Sequence, residues 1–216
     1  MKTVIYGSGA TARMAAEYLA NFHAGTVADF IENDNITIGD LPIFDASALM
    51  QKFPPENYAI IICIGYQHGG MNAKRKMLYE LLDESCYYFT SVYPDQYGPN
   101  DFGAGSFIMD GVILHTGAYV GNNCYIASNT VIGHDVEIHD HVWINANVSI
   151  DGGATIGEQC VIGAGAVIGA GVRLGERTLV GPGAVVLRDT EPDSVYLAPE
   201  AVKHRFSSNV FVRMGA

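Results

Sequence analysis

The chain has 216 residues, a formal net charge of −11 and hydrophobic residues at 49% of its positions. That acidity argues against nucleic acid or an anionic membrane surface as a partner. No apolar run approaches the ~20 residues of a membrane span, and the opening MKTVIYGSG lacks the pattern of a signal peptide, so a cytoplasmic enzyme without membrane insertion is expected.

Residues 2–6 read as a strand, followed by Gly7-Ser8-Gly9-Ala10-Thr11-Ala12 and a helical stretch over 13–21. Residues 27–31 form a second strand, ending at Glu32-Asn33-Asp34. A third strand, 58–64, leads into Gly65-Tyr66, and 73–84 reads as a helix. Strand, glycine-rich turn, helix and strand make half a Rossmann unit. Gly7, Gly9 and Ala12 satisfy G-x-G-x-x-G/A, and Glu32 stands twenty residues beyond Ala12, where an acid usually meets a ribose or base. So few strands precede the next region that a mononucleotide, with its phosphates near the Gly7–Thr11 turn and the helix N-terminus, fits better than NAD. A tight strand-to-helix turn alone would use the same glycines.

From Ile108 to Val186 an aliphatic residue recurs every six residues without a miss. Four residues after each comes a small or short-branched one, such as Cys124, Thr130, Val136 or Cys160, and glycine often follows the aliphatic residue, as in Ile132-Gly133 and Ile156-Gly157. Period six fits neither a helix nor a long strand. It fits a parallel β-helix in which three short strands make one triangular coil of eighteen residues. The aliphatic residue then fills the prism, the small one packs at the corner, and glycine is expected to relax the turn. Cys124 and Cys160, two coils apart at ~4.8 Å per layer, are too distant for a disulfide, and Cys63 lies in an apolar strand, so buried free thiols are expected. From Met77 to Val172 there is no Lys or Arg; Arg173, Arg177, Arg188, Lys203, Arg205 and Arg213 then follow. This basic end reads either as a solvated face or as a landing place for a phosphate-bearing ligand.

The chain resembles the bacterial nucleotide-sugar acetyltransferases of the sialic acid O-acetyltransferase-like family, which include UDP- and dTDP-4-amino-sugar N-acetyltransferases. The resemblance rests on V-I-Y-G-S-G at the start, F-I-E-N-D after the second strand, I-C-I-G after the third, V-I-G-H-D in the repeat, and L-A-P-E-A-V-K near the end, a divergent form of the family's G-x-P-A-K tail. It implies a Rossmann-like α/β domain that binds a nucleotide-sugar (1–96), a left-handed parallel β-helix (97–190) and a C-terminal tail (191–216). It also implies acetyl-CoA as co-substrate, no metal, a homotrimer with sites between neighbouring prisms, and a place in surface-glycan synthesis such as that of the lipopolysaccharide O-antigen.

His134 and Asp135 fall at one turn of the repeat, pointing out of the prism, where the family has its catalytic histidine and an adjacent glutamate. An amine or hydroxyl attacking a thioester must lose a proton, which a neutral imidazole oriented by a carboxylate can accept. Gly152, eighteen residues beyond His134 and one layer away on the same edge, is by the resemblance the main-chain donor to the oxyanion. Trp143 (a histidine in the family), Gly152, Ala164 and Pro182 fall where the family lines its CoA groove. Gly9, Ala10, Thr11, Glu32, Asn33 and Gly65 fall where it holds the nucleotide-sugar. Ala10-Thr11-Ala12 replaces a Gly-His-Gly, and Glu32-Asn33 replaces a pair of aspartates.

The expected activity is acetyl transfer from acetyl-CoA to the amino group of a nucleotide-linked 4-amino-sugar; O-acetylation of a sugar such as sialic acid is the near alternative. His115, His134 and His139 open a second alternative, a catalytic zinc of the γ-class carbonic anhydrase type. A scaffold that displays a sugar-binding domain is the non-enzymatic reading. His139 and His141 have no part in acetyl transfer and are expected to be solvated or at an interface.

Overall fold

A computed structural model describes residues 2–7, 9–22, 27–31, 46–66, 70, 72–84, 87–94, 96–97 and 101–214. Glu32 and Asn33 lie outside the described residues. The N-terminal part contains strand β1 (Lys2–Tyr6), helix α1 (Ala10–Phe22), β2 (Val27–Ile31), α2 (Ala46–Lys52), β3 (Tyr58–Ile62), α3 (Ala73–Glu84) and β4 (Tyr88–Phe89). The four strands form a parallel sheet in the order β2-β1-β3-β4. The half-Rossmann reading is borne out, with two differences. Helix α1 starts three residues earlier than the sequence suggests, so Ala10, Thr11 and Ala12 are its first turn, and α2 is an element the hydrophobic pattern had not marked. Gly7 earns its place sterically: it has φ +135°, and a Cβ there would meet the Cys63 carbonyl carbon at 3.0 Å and its oxygen closer still.

Beyond residue 101 the chain winds as a three-sided parallel β-solenoid, its faces being sheets of six, five and four two-residue strands. Within the repeat, strands pair eighteen residues apart, as Trp143↔Val161 and Ile144↔Ile162, and the last step, Leu179↔Val195, is sixteen. The second residue of each strand points inward, and Ile108, Ile126, Ile132, Ile138, Ile144, Ile156, Ile162 and Ile168 stack in a fully buried column. The ladder runs to Val195–Tyr196, past the end of the sequence repeat. Cys63, Cys124 and Cys160 are free and buried, as expected. Burial pushes each thiol up to about 12, so none is a thiolate nucleophile at neutral pH.

The glycines act differently from the expectation. Those that follow the aliphatic residue do not have left-handed backbone; they provide clearance between layers. A Cβ on Gly157 would lie 2.7 Å from Glu176 N, and one on Gly133 would lie 2.6 Å from Gly152 N. The left-handed positions come two residues later, where Asn129, Asp135, His141, Asn147, Gly153, Gln159 and Gly165 all have φ between +55° and +72°. Asn and Asp tolerate that geometry by hydrogen-bonding locally, and Gly adopts it freely.

The six-stranded face presents Phe107, Tyr125, Trp143 and Val161 outward, and all four are buried by the N-terminal domain. Ala12, Ala15 and Leu19 of α1, with Ile5, Ile61, Cys63 and Val92, cover this stack. A buried polar cluster pins one edge of the interface. Arg75 of α3 donates to the Asn123 carbonyl at 2.6 Å and to Asn72 Oδ1 at 3.2 Å, and lies 5.3 Å over the Trp143 ring. Beside it His141 Nδ1 accepts from Asn123 Nδ2 at 2.9 Å. His141 is thus an interface residue, and the solvated alternative is excluded by its burial.

Burial holds the His141 imidazole down at about 4 against the ordinary 6.5, although Asp140 and Glu158 pull the other way and Arg75 and Lys76 assist it. Between pH 6.5 and 4 the unfolded chain binds a proton that the folded one refuses. Its contribution is therefore complete above pH 6.5 and lost as the pH falls toward 4, on the order of 3 kcal/mol over the full range. Urea unfolding at pH 7 and pH 4.5 should show a smaller acid loss in His141→Asn, whose side chain retains an acceptor for Asn123. An equal acid loss in both proteins would remove His141 from this account.

Candidate active site

Each coil turns three corners. The first carries residues 127–130, 145–148, 163–166 and 181–184; the second 115–118, 133–136 and 151–154; the third 121–124, 139–142 and 157–160. His134, Asp135 and Gly152 meet on the second corner. Asp135 has φ +55°, and its Oδ2 lies 2.9 Å from His134 Nδ1. The ionised carboxylate can only accept, so this bond assigns the proton to Nδ1 and leaves Nε2 with a free lone pair. The aspartate, short as it is, reaches the ring.

Gly152 lies directly beneath the ring, and a Cβ there would collide with Nε2, Cδ2 and Cε1 of His134. Its carbonyl accepts from Gly171 N–H at 3.0 Å and its neighbour Gly153 N–H donates to the His134 carbonyl at 2.8 Å. The Gly152 N–H itself has no hydrogen bond among the described residues. An imidazole acceptor and an uncommitted amide donor therefore lie one layer apart, the pairing that collapse of a tetrahedral intermediate requires. The site is open: the side chains of His134 and Asp135 are 71% and 74% exposed.

A second group of residues gathers at the first corner. β1 and β3 are paired in parallel, Tyr6 with Ile62, so Gly9, Ala10 and Thr11 emerge at the same sheet edge as Gly65. Ligands of open α/β sheets bind beyond this carboxyl edge. Gly9 precedes α1 and accepts from Arg13 N–H at 3.2 Å, and a Cβ on it would meet nothing within 4 Å, so the space before the helix is open. A cleft of about 230 Å³ lies between Tyr66, next in sequence to Gly65, and the prism, where Asn145, Ala164 and Pro182 are among its lining residues. Tyr66 and Asn145 went unmarked in the sequence, although Tyr66 directly follows the strand-end glycine.

Trp143 is stacked on Tyr125 with ring centroids 3.8 Å apart and is buried under the N-terminal domain. It bears on the cleft only through its neighbours: its indole N–H donates to Asn145 Oδ1 at 3.2 Å, and the Tyr66 ring lies 5.4 Å away. The basic C-terminal end is also altered. Arg177 is held by Asp193 through two bonds, at 2.7 and 2.9 Å, and by Glu176 at 3.1 Å, so its guanidinium is already committed. His115 and His134 share the second corner while His139 turns to the third, 3.4 Å from Glu137; among the described residues no three His, Cys, Asp or Glu side chains gather as a metal set.

Residues 102–134 and 135–170 match the bacterial transferase hexapeptide family (six repeats), and 153–188 match the hexapeptide repeat of succinyl-transferase. Together the two matches span residues 102–188, within the solenoid. No curated protein matches the chain. Among solved structures, the hexapeptide domain and the N-terminal domain together are similar to the acetyltransferase domain of PglB from Neisseria gonorrhoeae in complex with acetyl coenzyme A. The two are 21% identical over 91% of this chain and 96% of that one, with a TM-score of 0.75. PerB from Caulobacter crescentus, in complex with CoA and GDP-perosamine, is 23% identical over 92% and 94% of the two chains, with a TM-score of 0.77. WeeI from Acinetobacter baumannii is 19% identical over 90% and 95%, with a TM-score of 0.70. At these identities the likeness is one of fold, and it extends over both domains.

Proposed function

We propose that the protein transfers an acetyl group from acetyl-CoA to the amine of a nucleotide-linked amino-sugar, in a site completed by a second copy of the chain. The observation that carries this reading is the arrangement on the second corner: an imidazole with Nδ1 held by Asp135 and Nε2 free, lying over Gly152 with its unused N–H. His134 takes the proton of the attacking amine, Asp135 holds the tautomer, and the Gly152 amide receives the developing oxyanion; its collapse breaks the C–S bond, and the imidazolium returns the proton to the departing CoA sulfur. Acetyl-CoA lies along Ala164 and Pro182, and the nucleotide lies at Gly9, Ala10, Thr11 and Gly65, with Glu32 and Asn33 reading the base or ribose. CoA and GDP-perosamine in the PerB complex and acetyl-CoA in the PglB complex support this reading.

The prism's geometry supports a second copy. His134 is on the second corner, whereas Ala164 and Pro182, with Tyr66 beside them, are on the first, across the five-stranded face. That face displays Ile113, Val131, Ser149, Val167 and Val185, a stripe β-branched except at Ser149, with Ile113 50% and Val185 59% exposed. Three prisms placing this face toward a threefold axis bury the stripe and bring the second corner of one copy beside the first corner of the next. The exposed His134–Asp135 pair is then shielded from water, as a general base requires. No helix among the described residues is long and apolar enough to cross a membrane. Bacterial surface-glycan assembly in the cytoplasm is the setting that fits acetyl-CoA and a nucleotide-sugar.

Thiol release from acetyl-CoA, measured against UDP-, dTDP- and GDP-linked 4-amino-sugars, tests the activity. Turnover of none of them overturns the amine reading, and turnover of free sialic acid alone moves the acceptor to a hydroxyl. The shared site predicts complementation. His134→Ala and Ala164→Trp chains, each strongly impaired alone, should regain about a quarter of wild-type activity when co-assembled, because one site in four then takes an intact corner from each parent. Mixed trimers without activity would place the whole site in one chain.

A further inference from the structure

We propose that Gly117 is a positioning residue for the His134–Asp135 pair, its bare Cα being the seat on which the Asp135 carboxylate rests. The inference depends on the acetyl-transfer reading only for what the pair does. Gly117 lies on the second corner one coil before Asp135, with φ +78°. A Cβ on Gly117 would collide with Asp135 Oδ1 and come within 3.2 Å of its Cγ. The other carboxylate oxygen, Oδ2, holds His134 Nδ1 at 2.9 Å. One oxygen thus rests against the glycine while the other orients the ring.

The carboxylate has little room to adjust. Asp135 N–H donates to the Thr116 carbonyl at 3.1 Å, which ties its backbone to the preceding layer, and the left-handed φ of Gly117 fixes the direction of any Cβ. A methyl group there makes the carboxylate rotate about its side-chain torsions, and Oδ2 swings away from Nδ1. The imidazole then loses the partner that selects its tautomer and holds its plane.

The prism contains its own control. Gly111, at the same register of the first corner, has φ +73°, and a Cβ there would collide with Asn129 Oδ1 and lie 3.3 Å from its Cγ. Asn129 N–H donates to the Asp110 carbonyl at 3.2 Å. The backbone geometry and the seated oxygen are the same, but Asn129 orients no imidazole. Gly111→Ala thus carries the left-handed strain and the displaced side chain without the effect on His134.

The test uses the intact protein with ¹⁵N-labelled histidine. The ring-nitrogen shifts of His134 report its tautomer without any turnover, and kcat and the pH profile of kcat/KM for acetyl transfer are measured alongside. In Gly117→Ala the ring should move from the Nδ1–H form toward a mixture, and kcat should fall about tenfold to a hundredfold, with a displaced acid limb. Gly111→Ala should stay within about twofold of wild type. In an Asp135→Asn background Gly117→Ala should add less than about twofold, because it acts through the group already neutralised. Unchanged ring-nitrogen shifts in Gly117→Ala, an equal loss in Gly111→Ala, or effects that multiply in the double variant would each overturn the proposal. Failure of the wild type to acetylate any acceptor is a separate result: it removes the acetyl-transfer reading, while the nitrogen shifts still decide the role of Gly117.

Discussion

His134→Ala should lower kcat for amine acetylation by about 10²–10⁴-fold, with KM for acetyl-CoA changed far less. The imidazole contributes nothing to the core. Among the described residues its side chain hydrogen-bonds to Asp135 alone, and both side chains are more than two-thirds exposed, so thermal stability should stay within experimental error. The loss is therefore attributable to chemistry. Some activity should survive, because an unprotonated amine attacks a thioester unaided once it is held in place and the Gly152 N–H remains. A hydroxyl acceptor would have no such reserve, so the residual rate also distinguishes the two acceptor classes. Asp135→Asn keeps the size of the side chain and loses its charge; it should fall between wild type and His134→Ala. A His134→Ala enzyme that keeps more than a tenth of wild-type kcat would exclude the imidazole as the base.

The six-residue period carried much of this site into view before any coordinates. Once the repeat is a three-sided coil, residues eighteen apart must stack, and His134 over Gly152 follows by counting. Counting fails where the physics lies between layers or between domains. Glycines recur after Ile132, Ile156 and Ile162, but a recurrence does not say whether a dihedral or a clearance requires the missing Cβ; here it is clearance, and the left-handed corners fall two residues later on Asn, Asp, His and Gln as well as Gly. Trp143 shows the second kind of failure. Its spacing places it correctly at an outward slot, but whether that slot meets solvent depends on where the N-terminal domain docks. A signal was present in the stack of Phe107, Tyr125, Trp143 and Val161 at eighteen-residue intervals, since so apolar an outward face needs a cover. Arg75 shows the limit. Within Lys74-Arg75-Lys76 nothing in the sequence distinguishes the side chain that enters the interface from the one that reaches Glu158.

Gly152→Ala should lower kcat about 100-fold or more while leaving the fold intact. Gly152 lacks left-handed φ, so alanine is allowed by its backbone. The added Cβ enters the space of the His134 ring, and because that ring is exposed it swings out to solvent and the layers stay in place. The main-chain N–H survives the substitution. Loss of the base and loss of the oxyanion donor thus separate within one residue: alanine displaces the first and keeps the second. The double variant Gly152→Ala/His134→Ala should accordingly be no slower than His134→Ala alone, since the displaced group is already gone. Multiplying effects would mean that the methyl group obstructs the thioester itself, which a raised KM for acetyl-CoA would reveal. Full activity in Gly152→Ala would show that the working imidazole does not lie over this glycine. The carboxylate seated on Gly117 and the ring lying over Gly152 would then belong to separate arrangements rather than to one pair braced between two layers.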